Sequence, residues 1–325
     1  MGIEIRLAQS KSENENAYAL AKRVFLDGAN GAAEKLKMIS WHQVEQNILT
    51  IATDGQRVVA LARICPSLIK WKSKQFNVAG LTSICVDSGY RGLGIGRQIM
   101  NAAVEYCDIN GYDFSYLIAR KKADYFYQKF DYTGASSYPK ITINEYKKDT
   151  VATPNIISDL ELSPFNKKNC SRYHDLYLGN YEDCFGATLR NTNLWANIEK
   201  RLPLLGLAFH EIWYQHTLVG YGVADNQGIV EYAVDLDLPE HLISASFGLI
   251  IKNKNSIELG IPHHHRLVPK LARHDLVFTS RRCLYGGHML RWNKHSKIKI
   301  EFNIGTTDPQ TVAHPFFSIN RLDEL

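Results

Sequence analysis

A mixed α/β protein in two domains is the fold class this sequence predicts, and three observations predict it. Between Leu81 and Tyr106 an apolar run breaks into a glycine-rich turn and reopens as a helix, with Ile95, Ile99, Ala103 and Tyr106 recurring on one face. Strand-like and helix-like patterns alternate along the whole chain rather than being segregated. The length, 325 residues, exceeds a usual single domain, and a polar, proline-marked stretch from Lys147 to Pro154 lies near its middle. The expected division is therefore 1–148 and 149–325.

The first elements follow in order. Ile3, Ile5 and Leu7 alternate with Glu4 and Arg6, the period-two mark of a strand with one wet face. Ala17, Leu20, Ala21, Val24 and Phe25 form the apolar stripe of a helix over 14–26, ended by Asp27-Gly28. After a short helical stretch near Trp41, Ile48–Ala52 and Val58–Ile64 read as strands joined through Asp54-Gly55, a hairpin signal. Leu81–Val86 is a strand, the helix from Ile95 follows, Asp113–Ala119 is the next strand and Ala123–Tyr132 a second helix. Residues 132–146 are expected to supply the last strands and to complete this domain by itself.

The second half repeats that rhythm. Helical patterns near 173–178 and 194–201 precede strands at 207–214, 218–224 and 229–234 and a helix-like 242–250. No sequence repeat is readable. Two readings stay open: a degenerate copy of the first domain, or an unrelated mixed α/β domain.

The glycine-rich turn carries the chemistry. Gly92, Gly94 and Gly96 remove the Cβ atoms that would block a ligand, so that backbone N–H groups can converge on an anion at the positive end of a helix, with Arg91 and Arg97 adding charge. A dinucleotide fingerprint starting at Gly92 fails at Arg97, and a P-loop would need Gly-Lys-Ser/Thr after its second glycine. What fits is Arg/Gln-x-x-Gly-x-Gly/Ala, met by Arg91, Gly94 and Gly96. In the following helix, Ala123 to Tyr132 fit Ala-x-x-Phe-Tyr-x-Lys-x-Gly-Phe, except that Asp131 stands where glycine is usual. A left-handed Asp131, or a different helix end, would accommodate the exception. With these two motifs in register, residues 1–146 resemble the GNAT superfamily of acyl-coenzyme A-dependent N-acetyltransferases; a degenerate copy in the second half, the first of the two readings, would make the chain similar to the superfamily's tandem members.

The resemblance implies acetyl-CoA as co-substrate. Its pyrophosphate would lie on Arg91, Gly92, Leu93, Gly94, Ile95, Gly96 and Arg97. Its pantetheine arm would run along Ile84, Cys85 and Val86, with one of their amides polarising the thioester carbonyl. Tyr127 matches the tyrosine that protonates the departing thiolate, and a phenol near pKa 10 suits that exchange. The expected reaction is direct attack by a primary amine of a small molecule. Transfer of longer acyl groups and a non-catalytic acyl-CoA sensor or scaffold are the alternatives, and a sensor has no need of Tyr127. Cys85 reads as a buried strand residue, since no histidine or helix start adjoins it. Asp87 is placed to cap the turn, Glu105 and Asp108 lie on the polar side of the long helix and are expected in solvent, and no general base is assigned.

Composition narrows the classes further. The net charge of +5 contains no basic block, which gives no support for nucleic acid as a partner. Six cysteines stand far apart without a Cys-x-x-Cys pair, which argues against zinc ribbons and disulfide scaffolds and for a reducing, cytoplasmic setting. No apolar run reaches the roughly 18 residues that would span a membrane. His263-His264-His265 point in different directions on any regular backbone and lack further ligands, so a loop or helix start is expected there and no metal site. Facing the first domain, they could with Arg266 and Arg273 bind an acidic substrate. Oligomeric state and acceptor are not legible.

Overall fold

The computed structural model describes residues 2–27, 31–42, 48–119, 123–134, 138–144, 159–226, 228–251, 256–262, 265–271, 278–283 and 288–296. The first half runs β1 (Ile3–Leu7), α1 (Lys11–Leu26), α2 (Gly31–His42), β2 (Ile48–Asp54), β3 (Arg57–Trp71), β4 (Lys74–Val86), α3 (Ile95–Ile109), β5 (Phe114–Ile118), α4 (Asp124–Gln128) and β6 (Thr133–Gly134). After β7 (Tyr138–Asn144) come β8 (Leu160–Ser163), α5 (Cys170–Tyr181), β9 (Ala187–Thr188), α6 (Thr192–Arg201), β10 (Ala208–Tyr214), β11 (Thr217–Ala224), β12 (Gly228–Val234), α7 (Glu240–Ile250), β13 (Ser256–Leu259), α8 (Leu267–Leu271), β14 (Phe278–Cys283) and β15 (His288–Trp292).

Two mixed sheets result, with the same topology. One has the order β1-β2-β3-β4-β5-β15-β6, with β9 also paired to β3; the other has the order β8-β10-β11-β12-β13-β7-β14. In each, an antiparallel run leads to one parallel pair, β4 with β5 and β12 with β13. The crossover helix is α3 in the first and α7 in the second. The second half thus repeats the topology of the first, as the first of the two readings left open by the sequence expects.

Each sheet also takes its penultimate strand from the other half of the chain. β7 lies between β13 and β14, with Ile143 opposite Ile257 and Phe278. β15 lies between β5 and β6, with Leu117 opposite Met289. The expectation that residues 132–146 complete the first domain is corrected: only β6 stays in the first sheet. An alternating strand such as β7 carries no mark of which edge it will join, because strand pairing is settled by long-range packing. The polar stretch from Lys147 to Pro154, where the division is expected, lies outside the described residues.

Side-chain periodicity explains the layers. On α1, Ala17, Leu20 and Ala21 are buried against Ile51, Val58 and Leu61 on one face of the first sheet. The helix starts at a capping box in which the Ser10 hydroxyl accepts from the Glu13 amide and the Glu13 carboxylate from the Ser10 amide. On α3, Ile95, Ile99, Met100, Ala103 and Cys107 fill the opposite face with Val59, Ala79, Leu81 and Leu117. Asp108, expected in solvent, is buried. Both of its oxygens lie 2.8 Å from Arg291 on β15, and the Lys294 amide donates to it at 2.9 Å. Glu105 is exposed, as expected.

The halves meet where β3 and β4 extend beyond the first sheet's helices. β9 pairs with Ile69 and Lys70, the Trp71 indole donates to Asp183 O at 3.2 Å, and Phe185 inserts among Trp71, Phe76 and Phe114. Phe114 in turn packs edge-on against Trp292 of β15.

Candidate functional site

The site is built at the end of β4. In a β4 bulge of the β3–β4 ladder, Ser83 adopts a left-handed backbone with φ +54°. The parallel pairing with β5 stops at Leu81 opposite Leu117, yet β4 continues to Val86. A slot therefore opens beside Ile84, Cys85 and Val86. The Asp87 amide donates to Val59 O on β3 at 2.8 Å. By the alternation of a strand, the peptide groups of Val86 and Ile84 face away from β3, into the slot. Cys85 points to the α1 face and is buried there, as expected of an ordinary strand residue.

Beyond the slot the chain turns. Asp87 caps the turn as expected, its Oδ1 accepting from the Gly89 amide at 3.1 Å, while its Oδ2 takes Arg23 at 2.7 Å and Arg57 at 2.9 Å. Burial raises this carboxyl's pKa, and the Gly89 amide with the two guanidiniums outweighs that, leaving it below the ordinary range. Gly92 and Gly94 then take φ +82° and +76°, conformations that side chains with a Cβ disfavour, and Gly94 is the N-cap of α3. A Cβ at Gly96 would stand 3.5 Å from Val86 Cγ2 and 3.9 Å from Phe126 Cζ, so this glycine lets α3, β4 and α4 converge.

Among the described residues, no backbone acceptor is found for the amides of Gly92, Leu93, Gly94, Ile95 and Gly96. They lie at the positive end of a four-turn helix, with Arg91 and Arg97 exposed on either side. Unpaired amides on an accessible turn are an anion cradle, and the slot beside it suits an extended arm bearing amide groups.

Tyr127 lies on α4, half-buried in the α3-side cluster with Ile84, Val86 and Phe126. Its ring packs edge-on to Phe126 at 5.2 Å and to Tyr132 at 6.4 Å. Burial alone raises its pKa above that of an ordinary phenol, which keeps the hydroxyl protonated and able to donate at neutral pH. Asp131 has φ +64°, so the turn after α4 is the left-handed one that glycine would make.

In the second half the same positions are closed. Asp235 matches Asp87: its amide donates to Val219 O at 2.7 Å and its Oδ1 accepts from the Asp237 amide at 3.0 Å. After that turn α7 begins almost at once, behind an N-cap proline, Pro239, and with Glu240 as its first residue. The glycine segment is missing, proline has no amide to offer, and Glu240 puts a carboxylate in the first turn of α7. The slot is plugged as well. Asn180 Nδ2 donates to Val234 O at 2.7 Å, the Tyr181 hydroxyl accepts from the Tyr232 amide at 3.4 Å, and His265 Nε2 lies 2.9 Å from Tyr232 O.

His265 is fully buried, and that burial drives its pKa down to about 3. Arg266 is held by Asp183 at 2.9 Å and by Glu182. These two are therefore structural, which leaves no support from them for an acidic-substrate site; His263, His264 and Arg273 lie outside the described residues. Spacing in the sequence does not reveal these plugs, or the pairing of Asp87 with Arg23 and Arg57, because each joins residues far apart in the chain.

Comparison with known proteins agrees with this geometry. Residues 4–135 match the family model described as acetyltransferase (GNAT) domain. A probable N-acyltransferase of Enterococcus faecalis V583, a conserved protein of unknown function, superposes with a TM-score of 0.68 at 15% identity, over 90% of this chain and 72% of that one. A GCN5-related N-acetyltransferase from Anabaena variabilis gives 0.65 at 16%, over 89% and 73%. Eis1 from Mycobacterium abscessus gives 0.62 at 15%, over 90% and 73%. At such identities the likeness is one of fold, and it spans both sheets. No curated protein matches the sequence. No helix among the described residues is long and apolar enough to cross a membrane.

Proposed function

We propose that this chain, whose residues 4–135 match the acetyltransferase (GNAT) domain model, is an N-acetyltransferase that moves an acetyl group from acetyl-CoA to a primary amine of a small molecule. The observation that carries the reading is the contrast at the ends of β4 and β12: one turn keeps its amides and its slot open, while its structural twin has lost both. The pyrophosphate lies on Arg91 to Arg97 and the pantetheine arm along Ile84, Cys85 and Val86. The amide of Val86 or Ile84 polarises the thioester carbonyl, in a place that water leaves when the arm enters.

The reaction is direct. The neutral amine attacks the thioester carbon, the attacking nitrogen gives up one proton to solvent, the tetrahedral intermediate expels the thiolate, and Tyr127 supplies the proton that turns the thiolate into free thiol and is itself reprotonated from solvent. Residues 149–325 shape the acceptor side, for α2 packs against α6 and the turn that follows it. The cysteines at 65, 85, 107, 170 and 184 are buried free thiols, which fits a reducing cytoplasm.

Thiol release from acetyl-CoA with a panel of small amines, aminoglycosides and peptide amines tests the reading. The expected result is turnover with one or more small amines and none without an acceptor. Calorimetric absence of acetyl-CoA binding to the wild-type chain would overturn it. Faster turnover with a longer acyl-CoA than with acetyl-CoA would correct the donor.

A further inference from the structure

The slot has two faces, and the groups assigned to the coenzyme take one of them. Ile84, Val86 and Tyr127 pack in the α3-side cluster, and the unpaired amides of the turn stand at the start of α3. In the acetyltransferase reading the thioester enters from that side, which leaves the other face for the amine.

The strand registers lay out this other face as a row across the sheet. Leu81 of β4 and Leu117 of β5 are opposite each other and pack on the α3 side, so the next residues, Thr82 and Ile118, stand side by side on the far face just where the strands part. Arg63 of β3 is opposite Thr82, and His288 of β15 is opposite Ile118. Leu61 lies in the α1-side cluster, so Arg63, two residues on, shares that face.

Both ends of the row are closed. Arg63 is fully buried, its Nη2 donating to Ser40 O at 2.5 Å and its Nη1 to Ser40 Oγ at 3.3 Å, which ties the last turn of α2 to β3. His288 is buried too, and Tyr116, one step back along β5, shares a buried cluster with Phe185 of the second half. Between these closed positions Thr82 is half-buried and Ile118 is 43% exposed, although the other four residues of β5 are buried. The row opens at the slot, and what it presents there is a hydroxyl and a branched aliphatic side chain.

That pair selects by polarity. The charged groups around it are engaged: Arg63 holds α2, and Asp87, two residues past Cys85, is held by Arg23 and Arg57. Carbon laid on Ile118 removes apolar surface from water, whereas a charge brought there loses water and gains no partner from the row.

We propose that Thr82 and Ile118 form the floor of the acceptor site and that the acceptor is an amine on an apolar carbon frame, an alkylamine or arylalkylamine rather than a polyamine. The reacting nitrogen reaches into the slot while its hydrocarbon lies along Ile118.

The proposal rests on the acetyltransferase reading, and the test separates the two. Hexylamine and hexamethylenediamine have the same reach and differ by one ammonium group. With acetyl-CoA, the wild-type chain should use hexylamine with a kcat/KM on the order of 10-fold or more above that of the diamine. Ile118→Ala should raise the KM for hexylamine on the order of 10-fold with kcat little changed, and Ile118→Asp should turn the preference toward the diamine. Acetyl-CoA affinity by calorimetry should stay within about twofold of wild type in both variants. A wild-type preference for the diamine, turnover of neither amine by a chain that acetylates others, or an unchanged preference in folded Ile118→Asp would overturn this assignment alone. Loss of acetyl-CoA affinity in Ile118→Ala would place Ile118 on the coenzyme's path and overturn it as well. A wild-type chain that binds no acetyl-CoA would remove the acetyltransferase reading and this one with it.

Discussion

The turn after β4 and the turn after β12 start alike and end differently. Asp87 and Asp235 both donate backwards to a valine carbonyl and both accept the amide two residues on, so the strand ends are equivalent. The first chain segment then spends three residues with a left-handed glycine on each side of Leu93 before α3, whereas the second enters α7 directly through Pro239. The same scaffold thus holds either a turn with free amides at a helix start or a closed joint. Which one it holds is decided by a handful of backbone conformations and not by the sheet. The helix that follows the parallel pair diverges too: counted from their first residues, α4 has Phe126 and Tyr127 where α8 has Pro269 and Lys270.

The sharpest way to break the contrast is to give the first half the second half's turn. Excising Gly92, Leu93 and Gly94 removes amides that each contribute about 1.5–3 kcal/mol to holding a charged group. Acetyl-CoA affinity by calorimetry should fall on the order of 10³-fold or more. The circular dichroism spectrum should keep its wild-type shape.

A second test addresses what the halves share. Arg291→Leu leaves the Asp108 carboxylate buried without its guanidinium, a loss of about 3–5 kcal/mol for such pairs. The denaturant midpoint should drop accordingly. If the exchanged strand were merely laid on the edge of the first sheet, the midpoint would hardly move.

Tyr127→Phe is the smaller catalytic step. It keeps the ring contacts with Phe126 and Tyr132 while deleting one proton, so turnover should fall by about 10²-fold with coenzyme affinity intact. A fall in affinity without a fall in turnover would recast the residue as packing.

The closed slot offers a gentler probe through pH. His265 is neutral in the fold with a pKa of about 3, well below the value near 6.5 of a free histidine. A depressed folded-state pKa means that stability is full above the unfolded value and is lost as pH falls through the folded one. Between pH 6.5 and 3 this group should therefore cost up to about 1.4 kcal/mol of stability per pH unit. His265→Gln should flatten that part of the stability profile, measured by urea unfolding at a series of pH values. An unchanged slope would show that other groups govern the acid limb.

Local signals made much of this legible from the residues. The stripe Ala17, Leu20, Ala21 gave α1, Asp54-Gly55 gave the β2–β3 hairpin, and the glycines at 92 and 94 marked the left-handed turn. Asp131 was recognised as a candidate for the same conformation. What stayed hidden depends on pairs distant in the chain. Asp108 looks like one more polar residue of an amphipathic helix until Arg291 arrives from 183 positions away. His265 looks like part of a histidine run until it meets Tyr232 O. Periodicity reports which face of an element is apolar; it does not report what will lie across from it.

The reciprocal placement of β7 and β15 has a consequence for how the chain is made. On a ribosome β5 emerges early, but the strand that covers its edge is about 170 residues behind, roughly ten to thirty seconds at usual elongation rates. Over that interval the first sheet has an open edge beside its parallel pair, a template for pairing with a wrong strand. β7 in its turn waits for β13 and β14. Vectorial synthesis therefore cannot deliver one finished half and then the other. The late strand acts as a latch, so a chain stalled or cut before residue 288 should be found with chaperones or in aggregates rather than as an active half-molecule.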